Sequence, residues 1–310
     1  MAGKRVLVIG STGFAGRHFV AAAGAAGFDV ETAARIPGAA DHEVDLLDPA
    51  SIASALSESR LDTVVNLAGA ASVGRSWADP GAAFEINASG VLNLLDAVAE
   101  IIPEAHVVCV SSGEVYGAVG EVELPLTEQH PARPANPYAT SKAAMELICD
   151  QYARTAGIRI AIMRSFNHLG PGQSDAFAAS SFARQIAVAE CEERDRVELR
   201  TGDLSPERDF SDVRDVVRAY VLAVERGLSG IYNVSSGRAV KLEDLVAELA
   251  AQAQLEVDVE VDDSRLRPAE APRVFGAFDR LRDATGWRPE IPLDRTLGDL
   301  LEWWRGEPAQ

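Results

Sequence analysis

Lysine, cysteine and long hydrophobic runs are all scarce in this sequence of 310 residues. No apolar segment approaches the roughly 20 residues that a helix needs to cross a bilayer. The N-terminal residues also lack the charged, apolar and small-residue regions of a secretory signal peptide. We therefore expect a cytoplasmic protein with no membrane partner.

The cysteines argue against two further classes of protein. Cys109, Cys149 and Cys191 are odd in number and widely spaced, unlike the framework of a small disulfide-rich domain. No Cys-x-x-Cys pair or cluster of histidines indicates a metal site. We interpret all three as small buried residues in a reducing compartment.

Positive charge is in deficit, with 29 Lys and Arg against 47 Asp and Glu and a formal net charge of −18. A nucleic-acid partner requires a basic face, so this balance argues against one. An anionic substrate must be bound by locally placed arginines, against the field of the whole molecule. The only lysines are Lys4, Lys142 and Lys241.

The pattern that is present is that of an α/β fold. A hydrophobic content of 47% with 25% charged residues is ordinary for a globular protein. Strand-like apolar runs alternate with helical segments, which predicts a doubly wound parallel sheet with helices on both faces. The predicted strands cover residues 5–9, 30–35, 44–48, 62–69, 105–112 and 158–164.

The regular alternation lapses after residue 165, where 166–173 is predicted to be a loop. Helices are then predicted at 176–191, 212–226 and 242–253, and strands at 196–200, 230–234 and 255–261. This pattern indicates a smaller second lobe assembled from separated segments. We predict a dinucleotide-binding domain of residues 1–165 plus 211–235, and a substrate-binding lobe of residues 166–210 plus 236–310.

A glycine-rich motif, Gly-x-x-Gly-x-x-Gly, follows the first predicted strand and opens a helix. Glycines there permit a tight turn and a close approach of the backbone to a pyrophosphate, which rests on the helix N-terminus. A glycine-rich turn without a ligand is the alternative, but the position between strand and helix favours dinucleotide binding. The predicted cofactor contacts are Gly10, Thr12, Gly13, Phe14, Ala15 and Gly16.

The end of the second predicted strand bears on the choice of cofactor. NAD-binding proteins usually place an acid there, to bond the ribose hydroxyls. Here Ala34 takes that place and Arg35 follows, so a 2′-phosphate could be bound by charge-assisted hydrogen bonds. We predict NADP(H), with NAD(H) as the alternative if Arg35 only faces solvent. Further predicted cofactor contacts are Asp45 at the adenine edge, Leu46, and the small-residue segment Leu67, Ala68 and Gly69.

Tyr138 and Lys142 are four residues apart in a segment with a helix start. Asn136 is a suitable cap and Pro137 suits the first helical position, so both side chains leave one face. A free tyrosine has a pKa of about 10, and a nearby ammonium is predicted to lower the pKa of Tyr138 toward 7. The alternative is a chance meeting on a surface helix. Ser112 ends a predicted strand, at the edge where such sheets bind ligands.

With these residues in view, the chain resembles the extended short-chain dehydrogenases/reductases that act on nucleotide sugars. Within them it most resembles the GDP-6-deoxy-4-keto-mannose reductases, over residues 6 to about 304. The resemblance implies NADPH-dependent reduction of the C4 ketone of GDP-4-keto-6-deoxy-D-mannose to GDP-D-rhamnose. The stretches that carry it are SSGEVYG at 111–117, RSFNHLGPGQ at 164–173, GDLSPERDFSDV at 202–213 and LRPAE at 266–270.

The resemblance also implies roles for individual residues. Tyr138 would give its proton to the substrate oxygen, Ser112 would bond that oxygen, and Lys142 would bind the nicotinamide ribose. His168 is expected to brace its loop. Arg208 has an alternative role, as the ion-pair partner of Asp209 or Asp212. The implied substrate contacts are Ser112, Glu114, Asn167 and Arg208, with Arg267 for the diphosphate and Glu270 for the nucleotide ribose.

Three alternative functions remain open at this point. Glu114 occupies the place of the glutamate of GDP-mannose 4,6-dehydratases, although Gly113 stands where some of them carry an acid. A C4 epimerase with tightly bound NAD is disfavoured by Arg35. A non-catalytic dinucleotide sensor of the same fold has no need of Ser112, Tyr138 and Lys142 together. The resemblance further implies a homodimer, formed by the helices around Asn87 and Tyr138.

Overall fold

A seven-stranded parallel sheet forms the centre of the protein. The structure is a computed structural model, which describes residues 3–58, 60–262 and 271–307. The strands are β1 Arg5–Ile9, β2 Asp29–Ala34, β3 His42–Glu43, β4 Thr63–Asn66, β5 His106–Ser112, β6 Ile160–Ser165 and β11 Gly230–Val234. Their order in the sheet is β11-β6-β5-β4-β1-β2-β3, which confirms the predicted doubly wound α/β fold.

Helices cover both faces of this sheet because its central strands are apolar on both sides. On one face the core includes Ile52, Leu94 and Met145. On the other it includes Phe19 and Tyr220. The helices of this part are α1 Phe14–Ala25, α2 Pro49–Ser57, α3 Val73–Ala78, α4 Pro80–Phe84, α5 Gly90–Ile101, α6 Pro137–Thr155 and α8 Val213–Arg226, with a π-helical turn Glu85–Ser89 between α4 and α5.

A second group of elements packs around its own core, which includes Phe182, Leu199, Leu249 and Leu300. Its helices are α7 Ala178–Cys191, α9 Leu242–Gln252 and α11 Leu293–Gly306. Its strands are β7 Asn167–Leu169, β8 Arg196–Thr201, β9 Glu207–Arg208, β10 Phe210–Asp212, β12 Val240–Lys241, β13 Glu256–Val261 and β14 Arg273–Val274. The short helix α10 Asp279–Thr285 instead packs Leu281 into the core of the sheet, together with Trp287.

Two predicted segments differ from the structure. The strand expected at 44–48 is a turn, and the strand lies at His42–Glu43 instead, because the Asp45 carboxylate accepts the Leu47 N–H at 2.9 Å and closes the backbone locally. The loop expected at 166–173 contains β7, which pairs in parallel with β10. That pairing joins residues 43 positions apart, as for Phe210 and Asn167, and a local pattern does not reveal it.

The cysteine prediction is right for two residues and wrong for the third. Cys109 and Cys149 are buried between β5 and α6, whereas Cys191 is exposed at the end of α7. None of the described helices combines the length and the apolar character needed to cross a bilayer. Within the described residues, no group of three or more His, Cys, Asp or Glu side chains could hold a metal ion.

Candidate active site

The start of α6 is fixed by two polar contacts and a proline. The Asn136 side chain accepts the Ala139 N–H at 2.8 Å, as predicted for a cap, and Pro137 occupies the first helical position. The Tyr138 N–H donates to Ser76 Oγ at 3.1 Å. Since these contacts satisfy the first amides of the helix, they set where Tyr138 begins its turn.

Tyr138, Lys142 and Ser112 meet at the carboxyl end of β5. Ser112 lies close enough to the Tyr138 hydroxyl to affect its pKa, and Lys142 Nζ donates to the carbonyl oxygen of Val110 at 2.9 Å. Each of the three predicted residues is only 8% exposed. The structure therefore brings together the residues for which the sequence predicted acid–base chemistry, at the edge of the sheet that binds ligands.

Burial, and not the neighbouring ammonium, controls the pKa of Tyr138. It raises the pKa of Tyr138 to about 12, with the Ser112 hydroxyl acting in the opposite direction and the Glu114 carboxylate adding to the increase. The prediction that Lys142 lowers this pKa toward 7 is wrong in this structure. The phenol is consequently protonated at neutral pH, which is the form that a general acid needs.

Lys142 itself is affected by the same burial. Its pKa is lowered to about 8, mainly because burial disfavours the charged form. The thiols of Cys109 and Cys149 and the carboxylate of Glu146 act against this lowering. The ammonium therefore titrates close to the physiological range, unlike an exposed lysine.

Asn87 lies beside this group and was not predicted as a site residue. Its Oδ1 accepts the Ala70 N–H at 3.0 Å, and its Nδ2 donates to Ala70 O at 3.1 Å and to Ser141 Oγ at 2.9 Å. A Cβ added at Gly69 would lie 2.7 Å from Asn87 Oδ1 and 3.3 Å from Lys142 Nζ. Asn87 thus holds the segment after β4 against α6, through a contact between positions 54 residues apart that no local pattern reveals.

The glycine-rich turn brings β1, α1 and the end of β4 into close contact. Gly10 has a φ of +84°, and a Cβ there would lie 2.6 Å from Ala68 N. Gly13 N donates to Gly10 O at 3.0 Å, and Leu67 N donates to Ile9 O at 2.9 Å. Gly16 is buried, and Thr12, Phe14 and Ala15 are half-buried around the start of α1.

The start of α1 fits a dinucleotide phosphate. Gly13 provides no side-chain cap, and the first turn carries no acid that would compete with an anion. Five other helices begin at a residue whose side chain accepts a helix N–H. These residues are Asp48, Ser72, Asp79, Asn136 and Asp212.

The remaining predicted cofactor residues lie along the same edge. Arg35 directly follows β2 and is exposed. Asp45 is half-buried, with one carboxylate oxygen bonded to the Leu47 N–H. Leu46 is buried, and its carbonyl accepts Asn93 Nδ2 at 2.9 Å. The side chain of Leu46 is therefore part of the core, which leaves its backbone for any contact with a ligand.

The predicted substrate residues that the structure describes lie on three separate segments of the chain. Asn136 Nδ2 donates to Glu114 Oε2 at 3.1 Å. Asn167 is exposed on β7, and Arg208 lies on β9 between β12 and β14. Arg267 and Glu270 lie outside the described residues.

Asp209 and Asp212, which the sequence offered as ion-pair partners for Arg208, both bond to other groups. Asp212 forms a bidentate pair with Arg214, at 2.8 and 2.6 Å. Asp209 accepts the backbone N–H groups of Ser236, Gly237 and Gly276.

His168 contacts its own loop, as expected. Its Nδ1 lies 3.2 Å from Phe166 O. Its ring also stacks on Phe14 of α1, with 5.9 Å between the centroids and 4° between the planes. The substrate-side loop and the start of the glycine-rich helix are therefore in direct contact.

Comparison with known proteins agrees with this geometry. The family model for GDP-mannose 4,6 dehydratase matches residues 7–300. The chain belongs to this family. It is 41% identical over 306 residues to a GDP-6-deoxy-D-mannose reductase of Pseudomonas aeruginosa, covering 97% of each protein.

Solved structures of this family have the same fold. The structure of RMD from Pseudomonas aeruginosa complexed with NADPH matches with a TM-score of 0.88 and 40% identity, over 97% of this chain and 99% of that one. A UDP-glucose 4-epimerase of Thermus thermophilus, in complex with NAD, matches with a TM-score of 0.85 and 31% identity over 97% and 99%. These matches confirm the resemblance inferred from the motifs.

Proposed function

We propose that the protein is an NADPH-dependent reductase, which converts the C4 ketone of GDP-4-keto-6-deoxy-D-mannose to the alcohol of GDP-D-rhamnose. The observation that carries the proposal is the placement of Ser112, Tyr138 and Lys142 together, each only 8% exposed, at the carboxyl end of β5. The similarity to a GDP-6-deoxy-D-mannose reductase supports the choice of substrate. The similarity to RMD from Pseudomonas aeruginosa, whose structure contains NADPH, supports the choice of cofactor.

The chain's own residues supply the acid chemistry. NADPH, when bound, supplies the hydride for the carbonyl carbon. Tyr138 is protonated at neutral pH because burial raises its pKa to about 12, and it gives its proton to the carbonyl oxygen. Ser112 donates a hydrogen bond to the same oxygen and stabilises its developing negative charge. Lys142 presents an ammonium beside Gly69, for a ribose hydroxyl.

The GDP diphosphate requires cations in a protein of net charge −18. We propose Arg208 and Arg267 for this role, with Asn167 beside the diphosphate, Glu114 at the sugar and Glu270 at the nucleotide ribose. The positions of Glu114 beside Asn136 and of Asn167 on the loop that contacts α1 support this arrangement. Arg208→Ala is expected to raise KM for the GDP-sugar with a smaller change in kcat.

A 4,6-dehydratase is the second candidate, because the Glu114 carboxylate is close enough to Tyr138 to raise its pKa. Dehydration needs a base for the sugar and an acid for the departing hydroxyl. Gly113 has no side chain that could supply this acid. A larger residue there would require rearrangement, since a Cβ at Gly113 would lie 2.9 Å from the Phe166 ring. This steric limit favours the reductase.

A spectrophotometric assay of NADPH distinguishes the candidates. The reductase consumes NADPH with GDP-4-keto-6-deoxy-D-mannose and leaves UDP-glucose untouched. Conversion of GDP-mannose to its 4-keto-6-deoxy product with NADP, without net reduction, would identify the dehydratase. NADPH binding without turnover of any nucleotide sugar would identify a dinucleotide sensor.

We also propose a homodimer that pairs α4, α5 and α6 with the same helices of a second copy. The support is the apolar surface on these helices, where Phe84, Leu92 and Leu147 are exposed, Leu147 by 73%. Multi-angle light scattering is expected to give about twice the mass of 33.0 kDa, and Leu147→Glu is expected to give the monomer. A monomeric wild type would contradict the proposal.

The division into two lobes and the cytoplasmic location are further proposals. Separate cores support lobes of residues 1–165 plus 211–235 and of residues 166–210 plus 236–310, although Leu281 and Trp287 pack with the first core. NADPH should protect the first set from hydrogen exchange and GDP the second. The free thiols of Cys109 and Cys149 fit a reducing compartment, which cell fractionation would test.

A further inference from the structure

A buried carboxylate beneath the site is not used by the reaction described above. Glu146 lies on α6, one turn after Lys142 and two turns after Tyr138. Its carboxylate accepts Arg164 Nε at 2.9 Å, Arg164 Nη2 at 2.6 Å and Ser111 Oγ at 2.5 Å. The side chains of Arg164 and Glu146 are only 5% and 7% exposed.

These contacts complete a series between α6 and β5. Tyr138 faces Ser112, Lys142 contacts Val110 and Glu146 contacts Ser111, so three successive turns of the helix meet three adjacent strand residues. The first contact must rearrange when the Tyr138 and Ser112 hydroxyls bond a substrate oxygen. The other two do not involve the substrate.

The Arg164 pair extends this series to the next strand. Arg164 on β6 is the register partner of Ser111 on β5, so Glu146 contacts both strands at one level of the sheet. The Arg164 guanidinium carbon also lies 4.8 Å from the centre of the Tyr116 ring. A buried ion pair contributes little net stability, because desolvation offsets the attraction between the charges. The informative property of the Glu146–Arg164 pair is therefore the geometry that it imposes on α6, and not its contribution to stability.

We propose that Glu146 is a positioning residue for the proposed reaction. By joining Ser111 and Arg164 to α6, its carboxylate fixes the register of the helix on the sheet, and so the position of the Tyr138 hydroxyl relative to Ser112. Its charge also favours the ammonium form of Lys142. This inference depends on the proposed function for its kinetic test but not for its spectroscopic one.

Glu146→Gln keeps the length of the side chain and an oxygen for Ser111, but removes the charge that binds Arg164. We expect kcat to fall roughly ten- to hundredfold, the effect of a misplacement of about 1 Å, while KM changes by less than about threefold. Glu190→Gln is the matched control, because Glu190 also accepts a bidentate arginine, Arg305, at 2.7 and 2.8 Å, but between α7 and α11. The control is expected to lower Tm and leave kcat unchanged.

The spectroscopic test uses the scarcity of lysine. Lysine labelled with ¹³C at Cε gives one signal for each of three residues, and Lys142→Arg assigns the signal of Lys142. The charged or titratable groups that face Lys142 are Cys109 on β5, and Cys149 and Glu146 on α6. Loss of a negative charge there favours the neutral amine, so the pKa of Lys142 should fall below about 8 in Glu146→Gln but not in Glu190→Gln.

The outcomes separate the inference from the proposed function. A Glu146→Gln enzyme with the kcat and the Lys142 titration of wild type would overturn the inference. If Glu146→Gln does not fold, Ser111→Ala removes only one contact and should lower kcat several-fold, and an unchanged kcat would again overturn it. A wild type that does not turn over the GDP-sugar would overturn the proposed function, while the Lys142 titration would still decide the inference.

Discussion

At the scale of single residues, the site depends on a phenol whose burial keeps it protonated. Tyr138 is enclosed by α6, the end of β5 and the Glu114 carboxylate, and its pKa of about 12 makes it a proton donor before any substrate binds. Ser112 has its Oγ bonded by the Glu114 N–H at 3.2 Å, so its own proton is available to Tyr138 or to a substrate oxygen.

Tyr138→Phe removes the proton donor but keeps the ring. We expect kcat to fall by roughly 10²- to 10⁴-fold, the usual contribution of a general acid, with NADPH affinity nearly unchanged. Tyr152→Phe on the same helix is the control, since its hydroxyl is bonded to Asp96 and lies away from Ser112. Steady-state rates and fluorescence titration measure the two effects. A Tyr138→Phe enzyme with full activity would remove Tyr138 from the mechanism.

The pH dependence of kcat should report on Lys142. Burial lowers its pKa to about 8, so the ammonium is present below that pH and lost above it. Because the charged form is the one that binds a ribose hydroxyl, we expect kcat to be constant below about pH 7 and to fall as the pH rises through about 8. Initial rates across the range measure this, and a profile that stays flat up to about pH 10 would contradict the assignment.

Arg35 should select the cofactor through its charge. Arg35→Ala removes the cation that we propose for the 2′-phosphate, and should weaken NADPH binding by roughly tenfold or more while NADH binding changes little. Arg154→Ala, an exposed arginine late in α6, controls for the general loss of positive charge. Kd values from calorimetry give the comparison. Equal weakening of both cofactors would show that Arg35 only faces solvent.

At the scale of elements, the Asn136 side chain has two functions at the start of α6. Asn136 Oδ1 caps the helix through Ala139 N, and its Nδ2 bonds the Glu114 carboxylate. The cap determines where the helix begins, and hence the direction of Tyr138. The amide fixes Glu114, the carboxylate that raises the pKa of Tyr138.

Two substitutions of Asn136 should separate the capping of α6 from the contact with Glu114. Asn136→Ala loses both, and is expected to cost about 1 kcal/mol of stability together with activity. Asn136→Asp keeps a capping oxygen but repels Glu114, so it should keep most of the stability and still lose activity. Asp48→Ala, which removes the cap of α2, should lose stability alone. Denaturant unfolding and kcat are measured on all three, and a fully active Asn136→Asp would contradict the role of the Glu114 contact.

At the scale of the whole molecule, the net charge opposes its own ligands. A protein of charge −18 repels an anionic dinucleotide at long range, while the contact that we propose for Arg35 would attract it only locally. Salt screens the long-range term over about 10 Å at 0.1 M, whereas close contacts are screened less.

The association rate of NADPH should therefore increase as salt is raised from about 10 to 150 mM. Stopped-flow fluorescence measures this rate. NADH, which carries less negative charge, is the matched ligand and should show a weaker increase. A rate that falls with salt would mean that local arginines dominate the approach of the cofactor.

Local patterns were sufficient for most elements. The apolar run of β1, the glycines after it and the Asn136-Pro137 start of α6 are determined by neighbouring residues, and the structure has them where they were expected. The pattern failed where distant segments decide. β7 exists because Phe210 pairs with Asn167, and the segment at 44–48 turns because Asp45 bonds its own backbone.

The order of elements, the glycine-rich turn and the spacing of Tyr138 and Lys142 can be read from the amino-acid sequence, because each depends on residues within a few positions. The pKa of Tyr138 follows from tertiary packing instead, since burial by several elements controls it and not the single neighbour that the spacing suggested. It also joined α6 to Asn87, Ser76 and Ser111, through contacts between positions 35 to 62 residues apart. The local sequence determines which chemical groups are present, but tertiary packing determines the environment that controls their reactivity.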